Sequence, residues 1–96
     1  MATTPVRADM REIDRYIPKN HFGSWLHSYL STHNIDISHL SKISGICRRD
    51  IKNWILGVSH PKIAYYAFLI RALCKITKDQ EQDLYVDSIK QVLKDF

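Results

Sequence analysis

The chain is poor in the residues that break, cross-link or anchor a polypeptide: of 96 residues, three are glycine, three proline and two cysteine. With so few glycines there is no Gly-rich loop of the kind that cradles a nucleotide's phosphates. Cys47 and Cys74 are too few for a disulfide scaffold and lack the paired spacing of a zinc site, so both are expected as reduced, packed thiols. No apolar run approaches the roughly 18 residues of a membrane span. Residues 1–20 also lack the apolar core of about 7 to 15 residues found in a secretion signal, so a cytoplasmic protein without membrane attachment is expected. His21, His27, His33, His39 and His60 form no pair three or four residues apart, which argues against a helical metal site. No Ser/His/Asp or Cys/His grouping belongs to a recognisable motif, so neither catalysis nor a cofactor is expected.

What the chain does have is apolar residues and unevenly placed positive charge. Hydrophobic residues make up 45% of it and the formal net charge is +4. Residues 21–78 carry Lys42, Arg48, Arg49, Lys52, Lys62, Arg71, Lys75 and Lys78 against only Asp36 and Asp50. Such a segment suits a polyanionic partner, because clustered cations gain by displacing counterions from phosphates.

The apolar period is helical throughout. There is no sustained alternation of β-branched residues and no Asn-Gly hairpin signal, so the class is all-α. Residues 1–18 read as an N-terminal arm with a short helix from Asp9 that Pro18 ends. A first full helix is predicted over about 20–32, with Phe22, Trp25, Leu26, Tyr29 and Leu30 on one stripe. A second opens at Asp36 as N-cap, with Ile35 and Leu40 placed as a hydrophobic staple, and ends at Gly45. A third repeats the device, with Ile46 and Ile51 as the staple and Cys47 at the cap, and Gly57 closes it. A fourth is predicted over 62–74. The fifth, over 77–96, is given a capping box from Thr77 and Gln80. The expected units are thus the arm, a body over 19–76, and a C-terminal helix.

Two short stapled helices joined through one glycine form a helix-turn-helix pattern, since the turn needs a positive φ that a Cβ opposes. Around the third helix, at 100° per residue, Cys47, Ile51, Trp54 and Ile55 share an inward face. Arg48, Arg49, Lys52 and Asn53 share the outward one. Cations and an amide on the exposed side of a short helix are suited to a DNA major groove, where an arginine fork matches guanine O6 and N7 and an asparagine amide matches adenine N6 and N7.

Residues 37–73 resemble the lambda-repressor/Cro-like (XRE) helix-turn-helix family. The matching features are Leu40, Gly45, Ile51, Trp54, Gly57, Pro61 and the stretch IAYYAFLIRAL. The resemblance implies a five-helix bundle that binds double-stranded DNA, with base contacts falling on Arg48, Arg49 and Asn53. It implies phosphate contacts from Ser38, Lys42, Ser59, His60 and Lys62, and Lys52 on the outward face is expected to join them. The chain departs from the family pattern at Ile37, where a Gln or Thr often clasps a phosphate. It also departs at Cys47, where Ser or Thr is usual, and at Ile55, read as packing beside Trp54.

The two C-terminal helices carry more apolar surface than one small domain needs. In the fourth, Ile63, Tyr66, Ala67, Ile70 and Leu73 form a core face, while Tyr65, Phe68 and Ala72 form an opposite face left for the fifth helix. The fifth is apolar over about 200° of its wheel, whereas one neighbour covers nearer 100°. The surplus, assigned to Tyr85, Ile89, Val92 and Phe96, is expected to bury against a second copy. The function expected is a sequence-specific transcriptional regulator, acting as a repressor by occupying an operator as a homodimer. The alternative is an antitoxin or adaptor that binds a protein partner through its C-terminal helices.

Overall fold

The computed structural model describes residues 12–96. Of the arm and short helix expected over residues 1–18, residues 1–11 lie outside the described residues, and the part described holds a single 3-10 turn in place of a helix. Among the described residues the chain is all-helical: a 3-10 turn, Glu12–Arg15, precedes five α-helices. These are α1 (His21–Thr32), α2 (Ile37–Ser44), α3 (Arg48–Ile55), α4 (Ile63–Thr77) and α5 (Glu81–Lys94). Helix α1 packs on α3 and α5, α2 on α3 and α4, α4 on α5, and the 3-10 turn on α1.

The first three helices begin and end where the local chemistry says they should. Asn20 caps α1, its Oδ1 accepting from the Gly23 N–H at 2.7 Å. Past the other end Asn34 is left-handed at φ 56°, and Asn34 and Ile35 return their N–H groups to the Ser31 and Leu30 carbonyls at 3.3 and 2.9 Å. That is a Schellman closure, with Asn in the place glycine commonly takes. The predicted staple residues Ile35, Leu40, Ile46 and Ile51 are all buried, with Phe22, Leu26 and Leu30 from α1 in the same core. Each such side chain contributes about 1.5–3 kcal/mol by leaving water. Ile13 is also fully buried, and the His27 ring meets its carbonyl through Nε2 at 2.9 Å, so the 3-10 turn belongs to the core. No sequence period marked Ile13, because a single turn has none.

The predicted C-terminal helices differ from the observed ones in three ways. Helix α4 runs on to Thr77, and Lys78 then turns left-handed at φ 68°. The Thr77 hydroxyl is spent on the Leu73 carbonyl at 2.9 Å and meets the Tyr29 hydroxyl at 2.8 Å. It therefore forms no capping box. Helix α5 begins at Glu81, and Gln80 at its cap makes no side-chain bond, while Glu81 and Asp83 in the first turn suit the positive helix end. Tyr29 also donates to Asp79 at 2.5 Å, and burial together with that carboxylate raises the hydroxyl's pKa above its ordinary value.

Second, α4 does not use its two apolar faces as predicted. Tyr66 stacks on Tyr85 with ring centroids 5.7 Å apart and hydrogen-bonds the buried Ser88, so α5 covers the same side of α4 as the core. Tyr65 and Phe68 stay outside as an edge-to-face pair at 6.2 Å, and Ile63, placed on the core face, is 90% exposed. Third, Tyr85 and Val92 of α5 pack against the domain's own core, whereas Val86, Ile89, Leu93 and Phe96 are exposed.

The end of α5 is tied to the start of α1. Asp95, at the C-cap of α5, accepts from the N–H groups of His21 and Phe22 at 2.7 and 3.1 Å. With Asn20 on Gly23, three of the N–H donors that α1 leaves unpaired at its start are satisfied. The His60 ring lies 2.9 Å from the same carboxylate through Nε2, and its centroid lies 6.1 Å from that of Phe22 and 5.2 Å from that of Phe96. Only 5% of the Asp95 side chain is exposed. Burial by itself would raise the carboxyl's pKa, but the hydrogen bonds from His60, Phe22 and His21 outweigh it and hold the group below the usual carboxylate range.

Candidate nucleic-acid interface

The turn between α2 and α3 is fixed by short-range bonds. Gly45 sits at φ 77° and returns its N–H to the Ser41 carbonyl at 2.9 Å. The Ser41 hydroxyl donates to the Ile46 carbonyl at 2.5 Å, and the Ile46 N–H donates to the Ser44 hydroxyl at 3.1 Å. Ile46 is thereby pointed into the core and α3 starts one residue after Cys47. A Cβ on Gly45 would meet nothing within 4 Å, so its requirement is conformational alone. Gly45→Ala is expected to lower stability by about 1–2 kcal/mol, the cost of a left-handed Cβ, with an unchanged fold. Urea unfolding measures it.

Helix α3 divides as its wheel predicts, apart from the cap. Ile51, Trp54 and Ile55 are buried, Arg48 and Arg49 exposed, and Lys52 and Asn53 half-exposed on the outer side. Cys47, expected to pack with the isoleucines, is exposed instead, since as the N-cap residue it lies outside the helical screw. Its thiol makes no cap bond. In the first turn the N–H groups of Asp50 and Ile51 close on the Cys47 carbonyl at 3.1 and 3.4 Å. At the other end the Gly57 and Val58 N–H groups close on the Trp54 and Asn53 carbonyls at 3.3 and 2.9 Å, again a Schellman closure with Gly57 at φ 77°.

Of the predicted backbone contacts outside α3, most are exposed. Ser38 and Lys42 are exposed on α2, Ser59 is exposed in the loop after α3, and Lys62 is exposed at the cap of α4. An open recess of about 240 Å³ between α3 and the start of α4 is lined by Asp50, Trp54, Ser59, His60, Lys62 and Tyr65. His60 is the exception to the expected phosphate contacts: its ring is turned inward onto Asp95 and lies between Phe22 and Phe96. The sequence could not show this, as the partner is 35 residues away. Asn20 Nδ2 also approaches His60 Nε2, at 3.4 Å. Asn20 Oδ1 is held by Gly23, which leaves the NH2 facing the ring, so the His60 proton goes to Asp95 and that approach is not a hydrogen bond. Lys52 Nζ lies 5.7 Å from the centre of the Tyr16 ring, which steadies it beside the arginines. Sequence reading missed Tyr16. It also missed Lys19, whose Cβ would stand 3.2 Å from a Cβ on Gly57, beside the loop after α3.

Helix α1 holds α3 from behind. A Cβ on Gly23 would lie 2.3 Å from the Ile55 carbonyl oxygen and 2.8 Å from that of Trp54. The first turn of α1 therefore rests directly on the last turn of α3, backbone to backbone. Among the described residues, no helix is long and apolar enough to cross a membrane, and no group of three or more His, Cys, Asp or Glu side chains is placed to hold a metal ion. No protein-family model, curated protein or solved structure matches this chain.

Proposed function

We propose that this protein binds double-stranded DNA through α3 as a helix-turn-helix reader of the lambda-repressor type, and that it regulates transcription by occupying an operator as a homodimer. The observation that carries this reading is the division of α3: three buried apolar residues anchor it, and Arg48, Arg49, Lys52 and Asn53 occupy its outer side. Arg48, Arg49 and Asn53 supply the base contacts, and Ser38, Lys42, Lys52, Ser59 and Lys62 the backbone contacts. His60 acts behind them, holding the loop after α3 to the C-terminus. A twofold dimer sets two such helices about 34 Å apart, one turn of the duplex, and so doubles the contacts on one face. Bound there, a protein of this size blocks polymerase by position.

Selection from random duplex DNA with the purified protein tests the reading, the expected result being an enriched palindromic motif. On that motif, Arg48→Ala, Arg49→Ala and Asn53→Ala should each cost about 1–3 kcal/mol and relax preference at one base position. Lys62→Ala should weaken all duplexes alike and flatten the salt dependence by about one unit. Arginine variants that bind operator and random duplex as the parent does would sink the proposal. The exposed Tyr65 and Phe68 pair, beside Arg71 and Lys75 on the same helix, favours a second reading as a protein-interaction module. A selection that enriches no motif would favour it.

A further inference from the structure

Helix α5 leaves an ordered stripe uncovered. Gln82, Val86, Ile89, Leu93 and Phe96 follow one another at steps of four, three, four and three residues, the spacing of a coiled-coil seam. All five are exposed; Val86 and Ile89 are about half exposed, Leu93 is 68% and Phe96 90% exposed. The two flanks of this stripe differ. On one side, at 100° per residue, lie Asp83, Asp87, Lys90 and Lys94, all exposed. On the other lie Tyr85 and Val92, packed on the core. Helix α4 continues that second flank. Tyr66 meets Tyr85 and Ser88, and His60, just before α4, meets Phe96, so the two helices run antiparallel, with the 90%-exposed Ile63 beside the C-terminal half of α5.

We infer that two copies of this chain pair through α5 in antiparallel fashion, about a twofold axis crossing the helix near Ile89. The inference rests on the homodimer reading but not on DNA binding. Two features select the second copy and its direction. An antiparallel seam sets each flank against the same flank of its mate, so the charged side meets the charged side and the apolar side meets the apolar side. A parallel seam would lay Asp83, Asp87 and the lysines over the mate's Tyr85, Val92 and Ile63, where ionised groups lose water without partners. Along the charged flank the acids occupy the N-terminal half and the bases the C-terminal half. Reversal of direction therefore sets Asp87 beside Lys90, and Asp83 beside Lys94, of the second copy, and each pair occurs twice. Val86 meets Leu93 of the second copy, and Ile89 meets its own mate.

Sedimentation equilibrium of the full chain without DNA, from sub-micromolar to high micromolar concentration, tests this. The parent should be a dimer in that range. Leu93→Glu should raise the dissociation constant about a hundredfold with helix content and Tm of the protomer kept, since Leu93 is exposed there. Asp87→Lys alone and Lys90→Asp alone should each weaken the dimer about tenfold, and the double exchange should restore it, because the antiparallel seam brings these two positions together across the interface; their i, i+3 pairing within one helix affects the protomer and not the dissociation constant. A parent that stays monomeric overturns both the homodimer and the pairing, and assigns the stripe to a different protein. A dimer that Leu93→Glu breaks but the charge exchanges leave alone overturns the antiparallel seam only. A dimer indifferent to all of them places the interface elsewhere and overturns it too.

Discussion

Gly23→Ala is expected to lower stability by about 3 kcal/mol, against the usual direction for a glycine inside a helix. Alanine normally gains about 1 kcal/mol there, because glycine gives up more backbone freedom on folding. Here the added methyl would stand 2.3 and 2.8 Å from two carbonyl oxygens of α3 and 2.6 Å from the Asn20 oxygen that caps α1. The Trp54 carbonyl already accepts from Gly57 in the closure of α3, so it cannot swing away freely. Helices α1 and α3 must therefore move apart, and the cost combines overpacking of about 1–3 kcal/mol with a weakened cap of about 1. In a domain of this size that corresponds to a Tm lower by roughly 12–24 °C. Gly45→Ala, in open space, provides the comparison. A Gly23→Ala protein as stable as the parent would mean that α1 and α3 do not approach so closely. On the proposed function, DNA binding should fall with it, since the helix displaced is the one that carries Arg48, Arg49 and Asn53.

The second large effect is expected at the other end of the chain. Asp95→Ala removes a buried acceptor from His21, Phe22 and His60 together. Hydrogen bonds to a charged group contribute about 1.5–3 kcal/mol, and partial hydration of the freed N–H groups recovers some of that. A net loss of about 2–3 kcal/mol at neutral pH is expected. The contribution should also depend on pH in a defined direction. A carboxyl whose folded pKa is depressed stabilises fully above its unfolded value of about 3.9, and the contribution is lost as pH falls through the lower folded value. The stability gap between the parent and Asp95→Asn should therefore close progressively as pH falls below about 4. Urea unfolding of both proteins across that range measures it. A gap that persists unchanged to the acid limit would show that the carboxylate charge is not what holds α1. Because His60 joins the loop after α3 to Asp95, His60→Ala should lower stability while leaving the salt dependence of DNA binding as it is, unlike Lys62→Ala.

Most of the secondary structure was legible from short-range chemistry. The helix starts after Asp36 and Cys47, the left-handed turn at Gly45 and the two staples depend on residues within about five positions of one another, so their evidence lies in neighbouring letters, although neither the Asp36 carboxylate nor the Cys47 thiol makes a side-chain cap bond. The inward and outward faces of α3 follow likewise from a period of about 3.6 residues, which is why Ile51, Trp54 and Ile55 were placed correctly. Cys47 was misplaced because a cap residue does not share the helical screw. Thr77 was misplaced because its hydroxyl had two competing uses. As a capping-box residue it would have served α5, but α4 runs on through Thr77, whose hydroxyl donates to the Leu73 carbonyl one turn back and accepts from the Asp79 N–H.

By itself, then, the sequence determined the all-helical class, the approximate helix bounds, the anchored face of α3 and the concentration of cations between residues 21 and 78. The tertiary structure alone decided which parts of the wide apolar arcs of α4 and α5 are covered. Burial of apolar surface is nearly proportional to area and carries no direction, so a wheel shows how much must be buried but not against what. It alone decided that Tyr66 rather than Tyr65 faces α5, and that Val86 and Leu93 rather than Tyr85 and Val92 remain exposed. It alone turned His60 onto Asp95, and it alone brought two carbonyls of α3 against Gly23. Those outcomes depend on groups 22 to 74 residues apart in the chain, brought together only when the helices pack, and a pattern of local period holds no record of that distance.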